Sequence, residues 1–315
     1  MVHSTSRKAH MAGVAFATIF GLSFMFSKIA LANVTAMGLI AYRFLFAFLG
    51  FLLLRLTGIV RIRLKQEHVP QMMLVALFQP ILYFMFETYG LTLLTSAEAG
   101  MMIALIPIFV SILSGIFLKE RPLPLQVVFI ILSVSGVIFI QIMSQDKLGA
   151  SPPLGYVLLF CAVLSAAFFN IFSRKSSKTM KPEALTYFMM LSSAIFFNAV
   201  YLIQLGWKGQ IENYFIHLSK VEVVGPLLYL GLMASIGGFF LVNYCLARLP
   251  AHISSIYANV STIIAIAAGA LILSEELAYY HYIGSAMILI GVYGTIVLNQ
   301  RKQPNHIPIY RGKSK

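Results

Sequence analysis

The stretch SAEAGMMIALIPIFVSILSGIFLKERP, residues 96–122, decides the fold of this chain. Glu98 stands at the head of an apolar run, Pro107 interrupts the run, and a short charged segment at 119–122 ends it. An apolar run of about 20 residues is long enough to cross a lipid bilayer as an α-helix. A weaker copy, AHISSIYANVSTIIAIAAGALILSEEL, follows at 251–277. The two stretches predict a pair of related membrane helices.

The composition extends this prediction to the whole chain. Of its 315 residues, 59% are hydrophobic and only 10% are charged, whereas soluble domains average about 25% charged residues. A soluble core cannot absorb so much apolar surface, so we expect lipid to be the solvent. Backbone polar groups in lipid must be satisfied internally, which favours a bundle of helices. The two cysteines, Cys161 and Cys245, lie in apolar runs and are interpreted as small apolar side chains.

Ten apolar runs predict ten transmembrane helices in an all-α membrane protein. The runs lie at 9–31, 36–58, 70–91, 96–118, 124–143, 153–173, 184–206, 222–247, 251–273 and 279–298. We predict a first five-helix repeat at 9–143, a second at 153–298, and a basic cytoplasmic tail at 299–315.

The lysines and arginines predict how the chain is oriented. With the N-terminus in the cytoplasm, eighteen of the 23 lie in cytoplasmic segments and three lie outside, while Lys28 and Arg43 fall within predicted helices. Cytoplasmic loops carry an excess of lysine and arginine. The bias therefore predicts a multi-pass protein of the cytoplasmic (plasma) membrane with both termini in the cytoplasm. These orientation signals explain the net charge of +13, and we expect no nucleic-acid partner.

An internal repeat relates the two halves of the chain. At an offset that aligns Glu120 with Glu275, the pair Gly136-Val137 also aligns with Gly291-Val292. Because each half has an odd number of helices, the second copy enters the membrane from the opposite side. Inverted repeats of this kind occur in many secondary transporters, whose substrate site lies at the repeat interface near the bilayer midplane.

At this point the chain resembles the drug/metabolite transporter superfamily and, within it, the EamA family. The resemblance rests on GLTLLTSAEAGMMIALIPIFVSILSGIFLKERP with Gly136-Val137, on YANVSTIIAIAAGALILSEEL with Gly291-Val292, and on AYRFLFAFLGFLLL around Arg43. It covers about residues 9–298. The sequence departs from symmetry where Thr262 aligns with Pro107, so we expect the ninth helix to be less kinked than the fourth.

The resemblance implies two inverted five-helix repeats around a central cavity lined by the first, third, fourth, sixth, eighth and ninth helices. It also implies movement of small metabolites, often export, by alternating access. On this basis we expect a secondary transporter, an exporter of small organic metabolites such as amino acids, with the lipid bilayer and the solute as its partners. The chain is compatible with a monomer and with a homodimer.

Four charged residues within the predicted helices are candidates for substrate binding or gating. Lys28, Arg43, Glu87 and Glu98 all lie in the outer part of the membrane, where buried charges usually pair or line water. We expect Arg43 to pair with Glu87, and Glu87 is also the candidate for proton coupling. The alternatives are a static ion pair for Arg43 and Glu87, snorkelling for Lys28, and a helix-terminus interaction for Glu98.

Neutral residues complete the candidate set. In the second half these are Asn243, Ser255, Tyr257 and Asn259, which either bind substrate or bond neighbouring helices to one another. Ser255 and Asn259 are four residues apart and therefore share a helix face. In the first half, Tyr83 is a candidate cavity residue, and Pro107 frees a backbone carbonyl that serves a substrate or a hinge, or is simply a tolerated kink.

The sequence also bounds the alternative functions. It contains no phosphate-binding loop, nucleophile elbow, HExxH or CxxC motif, so we expect no cofactor, no metal site and no ATP-driven pump. The main alternative is a polytopic membrane enzyme acting on a lipid-linked substrate. Such an enzyme requires acids or histidines clustered at one membrane face, whereas the predicted cytoplasmic loops are basic. A structural or sensory protein is disfavoured because no extramembrane domain is predicted.

Overall fold

The computed structural model describes residues 2–60, 62, 64–94, 102–143, 152–219, 221–272 and 277–302. All of the regular secondary structure within these ranges is helical. Eight of the described helices are long and apolar enough to cross a membrane, and two shorter apolar helices are Ile106–Leu118 and Pro124–Ile140. These findings confirm the prediction of an all-helical membrane protein.

The first half contains the helices that we label α1 to α5. Three are continuous: α1 (Val2–Leu31), α2 (Ala36–Leu56) and α5 (Pro124–Met143). Helix α3 is composite and joins Gln66–His68, Val69–Ala76, Leu77–Leu82 and Tyr83–Leu91. Helix α4 joins Ile106–Leu113 to a π-helical turn, Ser114–Leu118.

The second half contains α6 to α10. Four are continuous: α6 (Pro153–Ser176), α7 (Pro182–Trp207), α9 (Ala251–Ile272) and α10 (Tyr279–Lys302). Helix α8 joins Val221–Leu228, a π-helical segment Tyr229–Gly238, and Phe239–Arg248. A 3-10 helix, Ile211–Ser219, connects α7 to α8.

Local sequence signals explain several helix ends. The Thr35 side chain accepts a hydrogen bond from the Gly38 amide, which caps the start of α2. Proline occupies the first turn of α6 and of α7, where its missing N–H costs nothing. After α2 the chain turns at Gly58 with φ of 76°, a conformation that glycine adopts at little cost.

Helix α3 contains a break that the continuous prediction for 70–91 did not include. Gln79 has extended backbone angles, φ −151° and ψ 123°, inside the π-helical segment. Pro80 follows it, and the residue before a proline is disfavoured in the helical region. Proline also lacks an amide hydrogen for the helical ladder. The break ends just before Tyr83, so the turn that carries Tyr83 and Glu87 begins a fresh helical segment.

The start of the predicted fourth span, including Glu98, lies outside the described residues. Within the described part, a turn at Ala104 and Leu105 precedes α4, and Pro107 lies buried in the first turn of that helix. Pro107 therefore begins a helical segment after a turn.

The helices pack mostly in pairs that join the two halves. Helix α1 packs on α8 and α9, α6 packs on α3 and α4, α2 packs on α7 and α8, and α5 packs on α10. In the last pair the backbones approach closely at glycines: a Cβ at Gly291 would lie 2.5 Å from the carbonyl oxygen of Phe129. Glycine permits this approach because it has no side chain.

The two ends of the bundle differ in charge. At one end, which we call the basic end, Arg174 of α6 meets the segment after α4, and Arg55 of α2 donates to the Tyr187 hydroxyl of α7 over 3.2 Å. At the opposite end, the Tyr42 hydroxyl donates to the carbonyl of Tyr214, and the Tyr214 hydroxyl donates to Asn198. These bonds fix the Ile211–Ser219 helix against α2 and α7.

Candidate functional site

Arg43 is the centre of a polar cluster buried between α2, α3 and α8. Its side chain is 6% exposed, and its Nε donates to Ser235 Oγ over 2.8 Å. The Ser235 hydroxyl in turn donates to the carbonyl of Leu230 over 2.8 Å. The guanidinium lies 4.9 Å from the ring centre of Phe84, a cation–π contact. We call Arg43, Ser235, Tyr83 and Glu87 the Arg43 cluster.

Helix α3 supplies the acidic side of the cluster. The Tyr83 hydroxyl donates to Glu87 Oε1 over 3.3 Å, as the four-residue helical spacing allows. Arg43 is close enough to attract the Glu87 carboxylate electrostatically, but these two described side chains form no direct ion pair. The direct partners of Arg43 are instead a hydroxyl and aromatic rings. Both signs of charge are therefore present in one low-dielectric region without neutralising each other by contact.

Such an arrangement suits a small polar solute. A guanidinium offers several N–H donors in a fork that matches a carboxylate. A carboxylate next to a phenol accepts hydrogen bonds from an ammonium or hydroxyl group. Because the charges lie away from bulk water, their interactions are stronger than on an exposed surface.

Asn243 of α8 is hydrogen-bonded to side chains of two neighbouring helices. It is 1% exposed, its Oδ1 accepts from the Ser173 hydroxyl over 2.6 Å, and its Nδ2 donates to Thr186 Oγ1 over 2.9 Å. These contacts join α8 to α6 and α7, the interhelical role that the sequence left as an alternative for this residue.

Tyr257 of α9 lies near the basic end. Its hydroxyl is 2.7 Å from His10 Nδ1 of α1, and its ring meets Phe16 edge-on. Ser255, two residues earlier, is buried and donates to the carbonyl of His252 in its own helix over 3.3 Å. The structure does not bring either residue together with the Arg43 cluster.

Asn259 lies on the same helix as Ser255, but it is hydrogen-bonded to a neighbouring helix. Its Nδ2 donates to Ser133 Oγ of α5 over 3.2 Å, and its side chain is buried. Of the remaining candidates, Lys28 lies in α1, whose side chain at that position is outside the described atoms, and Glu98 lies outside the described residues.

Sequence reasoning missed the partners that complete these contacts. Ser235 is one polar residue in the apolar run around it, and His10 precedes the core of α1. The available signal for Ser235 was its spacing of four from Gly231, a small-xxx-small pattern that marks close helix contacts in membranes.

Two surface grooves lie apart from the Arg43 cluster. One, of about 330 Å³, lies between α3 and α6 and includes Tyr89 and Leu158. The other, of about 670 Å³, lies along α4 and includes Lys119 and Arg121. Neither of these two grooves is lined by Arg43 or Glu87.

The fold and the cluster define a polytopic helical membrane protein with buried charge between its halves. The sequence profile of the EamA-like transporter family matches residues 7–142 and again residues 153–297. The chain therefore belongs to the EamA-like transporter family and is a membrane transporter.

Relatives of the chain carry transporter names. The chain is 36% identical to a Bacillus subtilis (strain 168) protein named "Uncharacterized transporter YcxC", over 96% of this chain and 97% of that one. It is 24% identical to an Escherichia coli (strain K12) protein named "Probable amino-acid metabolite efflux pump", over 91% of this chain and 94% of that one. These names describe transport and not catalysis.

A protein of known crystal structure shares the fold. The two superpose with a TM-score of 0.76 at 15% sequence identity, over 92% of this chain and 99% of the other. At this identity the likeness concerns the fold alone.

Proposed function

We propose that the protein is a secondary transporter that exports small organic metabolites such as amino acids across the cytoplasmic membrane by alternating access. The observation that carries the proposal is the Arg43–Ser235 hydrogen bond, which joins the two family-matched regions inside a buried charged cluster. Secondary transporters bind their substrates at the repeat interface near mid-membrane. The Arg43 cluster joins the two matched regions and carries both signs of charge, and these two features support a substrate site there.

We also propose ten transmembrane helices in two inverted five-helix repeats around a central cavity, with repeats at 9–143 and 153–298. The helix packing supports this arrangement, because exchanging each helix for the one five positions later preserves the main pairings. Helix α1 on α8 and α9 becomes α6 on α3 and α4, while the pairs α2–α7 and α5–α10 exchange with themselves. A two-fold related pair of repeats gives this pattern.

The substrate class follows from the two signs of charge. Arg43 would bind the carboxylate of an amino acid, and Glu87 with Tyr83 would bind its ammonium group. The name of the Escherichia coli relative, which mentions amino-acid metabolites and efflux, supports both the solute and the direction. The lysine and arginine bias at the basic end supports a cytoplasmic position for that end and for both termini.

Glu87 is the proposed carrier of a coupling proton. Its carboxyl group is partly buried and is hydrogen-bonded to Tyr83, and ionisable groups inside membranes commonly form proton relays. A carboxylate that alternates between protonated and ionised forms would change how strongly Arg43 attracts it. Binding of a proton and of a substrate ammonium would then compete at one oxygen pair.

Transport by purified protein in lipid vesicles tests the proposal. Flux of radiolabelled amino acids is measured with and without a pH gradient for the wild type, for Glu87→Gln and for Glu67→Gln. Glu67 is a matched control because it is exposed and pairs only at the surface with Lys65 and His68. We expect the gradient to accelerate flux in the wild type and in Glu67→Gln but not in Glu87→Gln. Gradient-independent flux that survives Glu87→Gln would refute proton coupling there.

A further inference from the structure

Glu120, in the short segment between α4 and α5, contacts two other chain segments at the basic end, and its partner Arg174 contacts a third. Its Oε1 accepts from Arg174 Nε over 2.9 Å and lies 2.9 Å from the second guanidinium nitrogen, Nη2. Its Oε2 accepts from the Ala251 amide, at the start of α9, over 3.0 Å. Arg174 also donates through Nη1 to the carbonyl of Leu246 over 2.8 Å. We call Glu120, Arg174, Leu246 and Ala251 the Glu120 clasp.

The clasp crosses from one half of the protein to the other. Glu120 belongs to the first family-matched region, whereas Arg174, Leu246 and Ala251 belong to the second. One carboxylate therefore connects the end of α4 to the end of α6 and the start of α9, and Arg174 extends the connection to the end of α8.

The position of Glu120 is fixed by its own backbone. Its amide donates to the carbonyl of Ser114 over 3.0 Å, and the Ser114 hydroxyl donates to the carbonyl of Glu120 over 3.1 Å. Lys119, just before it, adopts a left-handed conformation with φ of 57° and ends α4. The backbone that carries the carboxylate is thus bonded to the last turns of α4.

The surroundings make the clasp stronger than a surface ion pair. The two side chains are 18% and 22% exposed, so water screens them incompletely. The carboxylate also lies at the N-terminus of α9, where the helix dipole favours negative charge. Charge-assisted hydrogen bonds of this type are roughly twice as strong as neutral ones.

The side chains behind the clasp are closed to solvent. Cys245, next to Leu246, is fully buried, and its Sγ donates to the carbonyl of Ala9 in α1 over 3.2 Å. Beyond it, Tyr257 bonds to His10 and also contacts Phe16. Access from the basic end to Cys245 therefore requires α1 to part from α8 and α9. The clasp ties α8 and α9 to α6 and to the segment after α4, so we expect it to break in the same movement.

We propose that Glu120 is the gate residue of the basic end. Its bonds to Arg174 and Ala251 hold that end closed, and their rupture is the step that opens it. This inference rests on the proposed alternating access, because a gate has a function only where the two ends open in turn. The Arg43 cluster, by contrast, would bind solute.

Labelling of the native Cys245 thiol tests the gate without any substrate. Purified protein carrying Cys161→Ser, which leaves Cys245 as its single cysteine, reacts with a bulky hydrophilic maleimide, and the labelling rate is measured. Neutralising a hydrogen-bonded, partly buried charge pair is expected to raise the open population and the labelling rate roughly tenfold in Glu120→Gln. The control Glu67→Gln removes an exposed carboxylate at the same end and should label at the starting rate.

The variant Arg174→Lys keeps the positive charge but cannot make all the contacts of a guanidinium. This variant should fold, and its Cys245 should be labelled faster than in the Cys161→Ser protein. If Glu120→Gln does not yield monodisperse protein, the labelling rate of Arg174→Lys alone tests the gate. Folded variants that label at the starting rate would overturn the gate. Because labelling needs no solute, an unchanged rate together with normal vesicle flux would reject the gate but leave transport intact. Faster labelling without any flux would support opening at the basic end and reject the proposed transport.

Discussion

Gly231→Ala is expected to force α2 and α8 apart at the Arg43 cluster. A methyl group at Gly231 would lie 2.7 Å from Phe46 Cβ, 3.0 Å from the carbonyl oxygen of Arg43 and 3.1 Å from the amide nitrogen of Ala47. Two of these three atoms belong to the backbone of α2. A side-chain rotation cannot relieve the overlap, so one helix must shift.

The distances give the size of the effect. Carbon atoms pack at about 3.5–4.0 Å, so relief requires a shift of roughly 0.5–1 Å. Overpacking of this kind costs about 1–3 kcal/mol. Ser235 lies one helical turn from Gly231, and the same shift would stretch its 2.8 Å bond to Arg43. Weakening a hydrogen bond to a charged donor brings the expected loss to about 2–4 kcal/mol. The unfolding temperature should fall by roughly 3–6 °C.

Thermal unfolding of the purified protein in one detergent measures this loss. Gly225→Ala is the matched control, because it lies on the same helix and a Cβ there meets nothing within 4 Å. Alanine is more favourable than glycine in a helix by about 1 kcal/mol, so the control should unfold at the wild-type temperature or slightly above it. Equal unfolding temperatures for the two variants would refute the close approach of α2 to α8.

Two further predictions follow from other contacts. Asn243→Leu leaves the buried Ser173 hydroxyl without its acceptor, so the free energy of unfolding should fall by about 1–3 kcal/mol. The control Gln204→Leu, whose amide makes only an exposed 3.4 Å contact, should unfold like the wild type, and equal values for both variants would contradict the interhelical role. Cysteines introduced at Leu64 and Lys178, in a background with both Cys161→Ser and Cys245→Ser, should react with impermeant maleimide in inverted membrane vesicles but not in intact cells. Labelling in intact cells would overturn the orientation.

Helix existence could be predicted from the sequence because it depends on apolar run length. The second run was predicted at 36–58 and its helix is Ala36–Leu56. The sixth was predicted at 153–173, but its helix extends to Ser176. The extra turn carries Arg174 and Lys175, which an apolarity criterion excludes. A helix tolerates them there because its C-terminus favours positive charge.

The break at Gln79 shows what run length alone cannot detect. Residues 70–91 are apolar enough to count as one span, and the prediction treated them as continuous. The signal was present in the dipeptide Gln79-Pro80, since proline disfavours helical angles in the residue before it. A criterion based on hydrophobicity alone takes no account of backbone conformation, so it did not register the effect of Pro80.

The candidate site could be predicted only in part. Helical spacing places Tyr83 and Glu87 on one face, and their shared depth with Arg43 indicated a common region. Periodicity identifies a face of a helix but not the helix that packs against it. The sequence therefore led us to expect direct Arg43–Glu87 pairing, whereas the direct partner of Arg43 is Ser235. The Glu120 clasp was hidden for the same reason, because its partners follow 54 and 131 residues later.

The Arg43–Ser235 bond can form only late in the synthesis of the chain. The two residues are 192 positions apart, and ribosomes add about 5–20 residues per second, so roughly 10–40 s separate their synthesis. During that interval α2 and α3 are present without α8, so Arg43 has its Phe84 contact but lacks the Ser235 acceptor, and a buried charge with incomplete hydrogen bonding is costly in hydrocarbon. The Arg43 cluster is therefore complete only after residue 235 has been synthesised. Nascent chains released before residue 235 would carry Arg43 in the bilayer without the acceptor for its Nε.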